Sequence, residues 1–312
     1  MISYMILHYN RPYLLDINIK LIRKYLPNVQ IIVADDGSDK NIIDCISKYE
    51  IDDLYVQKKN QNTWKEGTCS TTIKKARKLS KHEYFVFSED DFFYCANPVT
   101  VPYDSQEGNL MPLVYFPANT NINILNEGLY LLTNNNNIKN VQLAKDHIRV
   151  PVSSPVSSSN YSWSFVDHRK KQACYYCNWP SMLRTNEYFS IEIESGWAIW
   201  NYEAKLSKSF DTKFGKTTDW AVVPQNRFYV HVGMAFSKRL NNFVYSKKRS
   251  KYGRRIQEQM FNRVLEKNVE GFGSLLTQSY LKGQFIIDFD EMIQNGLNEA
   301  FVSAFKRLNK YV

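Results

Sequence analysis

Residues 86–94 read VFSEDDFFY: an apolar run, then the consecutive carboxylates Glu89, Asp90 and Asp91, then aromatics. Adjacent acids repel one another and the apolar flanks deny them solvation, so such a triplet either turns out into solvent or holds a cation. Immediately upstream, EYFVFS (83–88) has the length and the aromatic, β-branched content of a buried strand, which places the acids at its C-terminal end. Everything before it alternates in type. SYMILHY (3–9) is a short buried strand, and RPYLLDINIKLIRKYL (11–26) carries apolar residues at helical spacing. QIIVADD (30–36) is a second strand ending in acids and a GSD turn, NIIDCISKY (41–49) a helix, and DDLYVQ (52–57) a third strand. TWKEGTCSTTIKKARKLSK (63–81) reads as a helix entered through a loop.

Strands alternating with helices imply a right-handed parallel sheet, and such sheets bind ligands outside the carboxyl ends of their strands. Three of those ends are polar here: His8–Asn10, Asp35–Asp36 and Glu89–Asp91. The rest of the chain is less regular. Residues 110–116 and 128–133 read as strands, 134–137 as a turn, and the Ser/Pro-rich PVSSPVSSSNYS (151–162) as a loop. Residues 196–209 read as a helix, 227–232 as a strand, and from Tyr252 onward the pattern is that of amphipathic helices. No internal repeat is visible.

The 312 residues are enough for one large α/β domain or two modest ones, and 44% hydrophobic with 23% charged residues is an ordinary globular balance. No apolar run reaches the roughly 18–20 residues of a membrane span. The opening MISYMILHYNRP turns polar too soon for a secretion leader, so a soluble cytoplasmic protein is expected, with attachment to a membrane surface left open. Cys45, Cys69, Cys95, Cys174 and Cys177 are too few and too scattered for a disulfide framework. CYYC at 174–177, with His168 nearby, would be half of a zinc site; without a second such pair, packed free thiols are the expectation. The net charge of +9 favours anionic partners, and the excess concentrates in SKRLNNFVYSKKRSKYGRR (237–255).

In the order HYNRP (8–12), ADDGS (34–38) and SEDD (88–91), the sequence resembles the GT-A-fold nucleotide-sugar glycosyltransferases, especially inverting family 2, well over residues 2–95 and weakly over 175–233. The resemblance implies a GT-A-type, Rossmann-like mixed α/β sheet flanked by helices over residues 1–235. Within it, 1–95 would be the donor half and 96–235 the acceptor half, with a basic, mainly helical C-terminal extension over 236–312. It further implies that Tyr9, Asn10, Arg11, Asp36, Lys65 and Asp90 bind a nucleotide-sugar, most readily a UDP-sugar. Asp36 would accept a hydrogen bond from the base ring; the alternative is that Asp35 and Asp36 only shape the Gly37 turn. Asp91, supported by Glu89 and by His231 of FYVHVG (228–233), would bind Mn²⁺ or Mg²⁺, ions suited to oxygen ligands and a diphosphate. That cation answers the crowding of the triplet.

Inverting transfer requires a general base for the acceptor hydroxyl, and the resemblance assigns it to a carboxylate before a second-half helix. SIEIESGWAIWNYEAKL (190–206) offers Glu194 first, then Glu192, with Asp219 as a further choice and Trp197 as an acceptor platform. Trp179 and Arg184 of NWPSMLR (178–184) are candidate acceptor contacts. The expected acceptor is a saccharide or glycan. Three alternatives stay open: transfer onto a hydroxymethylated base in DNA held by the 238–255 segment, a non-catalytic nucleic-acid-binding protein, and a nucleotidyltransferase.

Overall fold

A computed structural model of the chain describes residues 1–58, 68–99, 123–143, 152–167, 180–194, 199–215, 219–224 and 227–231. The first strand, β1 (Ile2–His8), is buried along its whole length. Tyr4 and Ile6 point into one apolar cluster and Met5 and Leu7 into another, so both faces of the sheet are covered. Each such side chain, removed from water, contributes about 1.5–3 kcal/mol. The chain then turns sharply through Asn10, whose φ of 52° lies in the left-handed region that asparagine tolerates. Pro12 opens α1 (Pro12–Tyr25) at a position where its missing N–H costs nothing. β2 (Gln30–Asp35), α2 (Lys40–Ile46), β3 (Asp53–Val56), α3 (Thr68–Ala76), a 3-10 turn (Arg77–Leu79) and β4 (Tyr84–Glu89) follow.

The expected parallel sheet is present: β3, β2, β1 and β4 lie side by side in that order, all parallel. His8 pairs with Asp35 and Leu7 with Glu89, which brings the three polar strand ends to one edge. Beyond β4 the chain continues as β5 (Phe92–Val99), α4 (Ile124–Asn134), β6 (Asn140–Gln142), β7 (Val152–Ser157), β8 (Ser162–Val166), β9 (Ser181–Arg184), α5 (Thr185–Phe189), α6 (Ile199–Phe214), β10 (Ala221–Pro224) and β11 (Arg227–His231). The described residues form a nine-stranded sheet in the order β3-β2-β1-β4-β9-β6-β10-β8-β7, and β5 and β11 pair as a separate ribbon. β9 runs antiparallel to β4 and to β6, which makes the sheet mixed, and β10 is parallel to β6. β10 therefore starts at the edge where β4 starts, away from the polar strand ends. Helices α1, α2 and α4 cover one face through residues such as Ile19, Ile46 and Leu131, and α3, α5 and α6 the other through Ile73, Tyr188 and Phe210.

Two sequence readings are corrected. Residues 128–133 are not a strand but the body of α4, whose buried Ile124, Leu125, Gly128, Leu131 and Leu132 follow a helical period behind the N-cap Asn123. Gly128 permits the packing, since a Cβ there would stand 3.1 Å from Val141 Cγ1 of β6. The Ser/Pro-rich stretch read as a loop contains β7, a strand at the sheet edge that is exposed at Val152–Pro155, so its composition looks like that of a loop. The expected extension over 236–312 lies outside the described residues.

Candidate functional site

At the common strand edge, each polar group is tied to its neighbours. Asp35, fully buried, accepts from the Gly37 and Ser38 backbone N–H groups at 3.0 and 2.8 Å and from Ser38 Oγ at 2.6 Å. It also lies 2.8 Å from His8 Nδ1. Because His8 Nε2 accepts from the Arg11 N–H at 3.2 Å, the ring carries its proton on Nδ1 and donates it to Asp35. Burial alone would raise the Asp35 carboxyl, but His8 and Ser38 outweigh it and hold the group below the ordinary carboxylate range. Asp35 thus shapes the turn. Asp36 does something else: half-buried, it accepts from Thr72 Oγ1 of α3 at 2.6 Å. The two acids, considered together from the sequence, have separate roles here.

The acid triplet divides as well. Asp90 is fully buried and Asp91 nearly so, while Glu89 is half-buried at the end of β4. The Arg11 guanidinium spans the pair, with Nη2 on Asp90 Oδ1 and Nη1 2.9 Å from Asp91 Oδ2. Asn18 of α1 reaches across to the carbonyls of Glu89 and Asp90, both at 3.4 Å, and the Asp90 N–H donates to Leu7 O at 3.0 Å. These contacts fix the backbone of the turn, with the carboxylates facing the loop after β1. Burial pushes the Asp90 carboxyl up to about 6, against the pull of Arg11 and His8 and with the Asp91 charge adding to the rise.

Asp90 Oδ2 is buried with no hydrogen-bond partner among the described residues. Two carboxylates face one guanidinium, so negative charge and an acceptor atom remain to be satisfied. Mg²⁺ and Mn²⁺ suit such oxygen donors, and a site of this kind uses one or two carboxylates with water and substrate phosphate. The pair fits a divalent cation on those terms. A fuller protein cage is not found: among the described residues no three His, Cys, Asp or Glu side chains gather to hold a metal. Glu89 is accordingly not brought into one set with Asp90 and Asp91. The backbone of His231 pairs with that of Phe92, one residue beyond Asp91, while its side chain lies outside the described residues.

The candidate bases come from other elements. After α5, Ile191 and Ile193 are buried and Glu192 and Glu194 exposed, so the segment runs extended over the α3-side core with its acids outward. Arg77 anchors it, donating to the carbonyls of Tyr188 at 3.0 Å, Ile191 at 3.3 Å and Phe189 at 3.4 Å. α6 ends with Phe214 beside Trp220, at the start of β10. Asp219 stands at that same place, a strand length from the acid turn, and the fold does not bring it to the site. Arg184 is also reassigned. Its guanidinium binds the carbonyls of Leu132, Asn135 and Ile138 and the Glu187 carboxylate, which closes the C-terminus of α4 instead of facing an acceptor. Lys65, His168, the CYYC pair, Trp179, Trp197 and the 238–255 basic segment lie outside the described residues.

Sequence reading missed the ion pairing of Arg11 and the parts played by Asn18, Thr72 and Arg77. Asn18 did leave a signal, as a polar residue on the apolar stripe of Leu14, Leu15, Ile19 and Ile22. The others left none that local pattern would show.

No protein-family model and no curated protein sequence matches the chain. Solved structures do match, and they are GT-A glycosyltransferases over most of this chain. S. aureus TarS matches at a TM-score of 0.47 and 10% identity, covering 86% of this chain and 43% of its own, so the chain spans less than half of TarS. Glucosyl-3-phosphoglycerate synthase from Mycobacterium tuberculosis, in complex with Mn²⁺, uridine diphosphate and phosphoglyceric acid, matches at 0.47 and 11% identity, covering 92% of this chain and 80% of its own. Mannosyl-3-phosphoglycerate synthase from Rubrobacter xylanophilus matches at 0.43 and 12%, covering 88% and 75%. With every one of these TM-scores below 0.5, the likeness says nothing of substrate or chemistry, which rest on the site itself. No described helix is long and apolar enough to cross a membrane.

Proposed function

We propose that this chain is a metal-dependent glycosyltransferase that moves a sugar from a nucleotide-sugar, of the UDP class, to a hydroxyl of a saccharide acceptor with inversion. The observation that carries the reading is the buried Asp90–Asp91 pair at the carboxyl end of β4, facing the loop after β1 with Asp90 Oδ2 unsatisfied among the described residues. Burying two adjacent carboxylates against one guanidinium is costly unless a ligand completes the arrangement. Asp90 and Asp91 would hold Mn²⁺ or Mg²⁺, with His231 a candidate through the register of β11 on β5. When bound, the cation supplies charge neutralisation for the nucleoside diphosphate leaving group.

The chain's own residues supply the rest. Asp36, oriented by Thr72, accepts the ring N–H of a uracil, and Tyr9, Asn10 and Arg11 line the same loop. Glu194, or Glu192, takes the acceptor hydroxyl proton as that oxygen attacks the anomeric carbon and the bond to the diphosphate oxygen breaks. Support for this segment is its exposed acids, directly after the Tyr188 and Ile191 carbonyls that Arg77 holds. The test is a panel of UDP-, GDP- and dTDP-sugars with and without Mn²⁺. Metal-dependent UDP release together with a UDP-selective thermal shift is expected; no nucleotide-dependent shift and no diphosphate release from any donor overturns the reading.

A further inference from the structure

Arg11 is placed where the cation belongs. Its two terminal nitrogens engage one oxygen of each acid. Its side chain is 24% exposed against 0% for Asp90 and 7% for Asp91, so it is the outermost of the three and lies over the buried pair. A divalent ion on the pair, even through Asp90 Oδ2, would sit close against a like charge and draw on the same two negative charges that Arg11 already neutralises in part. With the guanidinium in this place, a metal on the pair binds against electrostatic repulsion and to a carboxylate pair whose charge is already shared.

The backbone at Arg11 does not offer an escape. The Asn10 N–H is bound to Ser38 Oγ at 2.9 Å and the Arg11 N–H to His8 Nε2 at 3.2 Å, while Arg11 O accepts from Leu14 and Leu15 at 3.1 and 3.2 Å. Pinned on both sides, Arg11 can leave the acids only by rotating its side chain. The planar, two-pronged guanidinium is suited to bidentate binding of phosphate oxygens as well as carboxylates. On the proposed function, a diphosphate is the anion that arrives at this loop.

Resting on that reading, we propose that Arg11 is an internal counter-cation that competes with the divalent metal for Asp90 and Asp91 and transfers to the donor diphosphate, so that metal and nucleotide binding are coupled. By linkage the coupling is reciprocal. The metal alone meets an acid pair already in use; the nucleotide gives Arg11 a second anion and frees the pair.

The test is Mn²⁺ binding, read from the electron paramagnetic resonance of free Mn²⁺, on the full chain and on Arg11→Met, each with and without UDP. Wild type should bind Mn²⁺ weakly alone. Arg11→Met, which keeps bulk and removes charge, should bind Mn²⁺ alone about tenfold or more tighter, within the usual range of coupling, and should gain less from UDP than wild type does. Arg11→Lys retains a counter-charge that cannot bridge both acids and should fall between; it also serves if the methionine variant fails to fold. A folded Arg11→Met (or, failing that, Arg11→Lys) with Mn²⁺ affinity no greater than wild type overturns the inference while Mn²⁺ binding with UDP keeps the metal reading. No Mn²⁺ binding by any of them, with UDP present, overturns both.

Discussion

Asp90 and Glu127 are both buried carboxylates at the margins of the same sheet, and they are finished differently. Glu127, in the first turn of α4, accepts from Ser158 Oγ at 2.5 Å, Ser159 Oγ at 3.1 Å, the Asn160 N–H at 3.0 Å and Asn160 Nδ2 at 3.1 Å. Burial works to raise it, yet the Ser158 and Asn160 bonds prevail and its carboxyl lies below the ordinary range. That cluster fastens the turn between β7 and β8 onto α4, and Trp163 Nε1 donates to the same Ser158 Oγ at 3.0 Å. Asp90 has one oxygen on Arg11, the other with no hydrogen-bond partner among the described residues, and a carboxyl pushed up to about 6. A carboxylate that the chain itself saturates is a fastening; one left short of partners at a strand end is a place for something else.

Removing one carboxylate at a time gives the largest effects. Asp91→Ala should lower sugar transfer by about 10³-fold or more, since charge stabilisation by a bound cation is worth several kcal/mol. Its melting temperature should stay near that of wild type. Transfer at near-normal rates would dissolve the contrast altogether. Glu127→Ala should do the reverse. Four donors lose their acceptor, so a destabilisation of about 2–4 kcal/mol in denaturant unfolding is expected, with Mn²⁺ and UDP binding per folded molecule unchanged.

Asp36 tests whether a carboxylate that accepts from the Thr72 hydroxyl still has capacity for a ligand. Asp36→Ala should raise the donor KM by the equivalent of about 1.5–3 kcal/mol with a smaller effect on kcat, as a base contact is much the same in ground and transition states. Thr72→Val should follow in the same direction and more weakly. An unchanged KM in both would return Asp36 to a purely structural role.

The smallest effects are in pH, and the two acids should slope oppositely. The Asp90 carboxyl rises from an ordinary 3.8 to about 6 on folding, so its contribution to stability is present below about 3.8 and is lost as pH rises through about 6. Asp90→Asn should therefore gain melting temperature relative to wild type between pH 4 and 7, then level off. The Glu127 carboxyl is lowered from an ordinary 4.5, so its contribution is present above that value and is lost as pH falls through the folded value. Glu127→Gln should narrow its deficit against wild type only below about pH 4.5. Parallel slopes in the two variants would remove the distinction between them.

Much of the first half of the chain is written locally. Short continuous apolar runs and helical spacing locate β1 through β4 and the helices between them, and the rule for parallel sheets then gathers His8, Asp35 and Asp90 at one edge. The second half is harder for physical reasons. β6 and β9 are three and four residues long, too short to show a period, and β7 is an edge strand with a polar composition. α4 was misread because LYLL, taken alone, is as good a strand as a helix; the Asn123 cap and the buried Gly128 decide it. In the site, residue types were legible but pairings were not. The Arg11 bridge joins positions 79 and 80 residues apart, and Arg77 grips carbonyls more than 110 residues away, contacts that no local pattern carries.

The β5–β11 ribbon has a consequence for the order in which the protein is made. β11 places His231 against Phe92, Tyr94 stacks edge-on to Tyr229 at 5.4 Å, and the Tyr4 hydroxyl donates to that of Tyr229 at 3.1 Å. The acid turn between β4 and β5 is thus flanked by a strand that leaves the ribosome on the order of ten seconds after it, at ordinary rates of synthesis. Until then the four parallel strands can assemble, but Phe92 and Tyr94 have no partner strand and the Tyr4 hydroxyl has no acceptor from Tyr229. A nascent chain stalled before residue 231 should hold a formed sheet and an immature acid turn, and residues 1–95 are not a unit that can be cut out and kept.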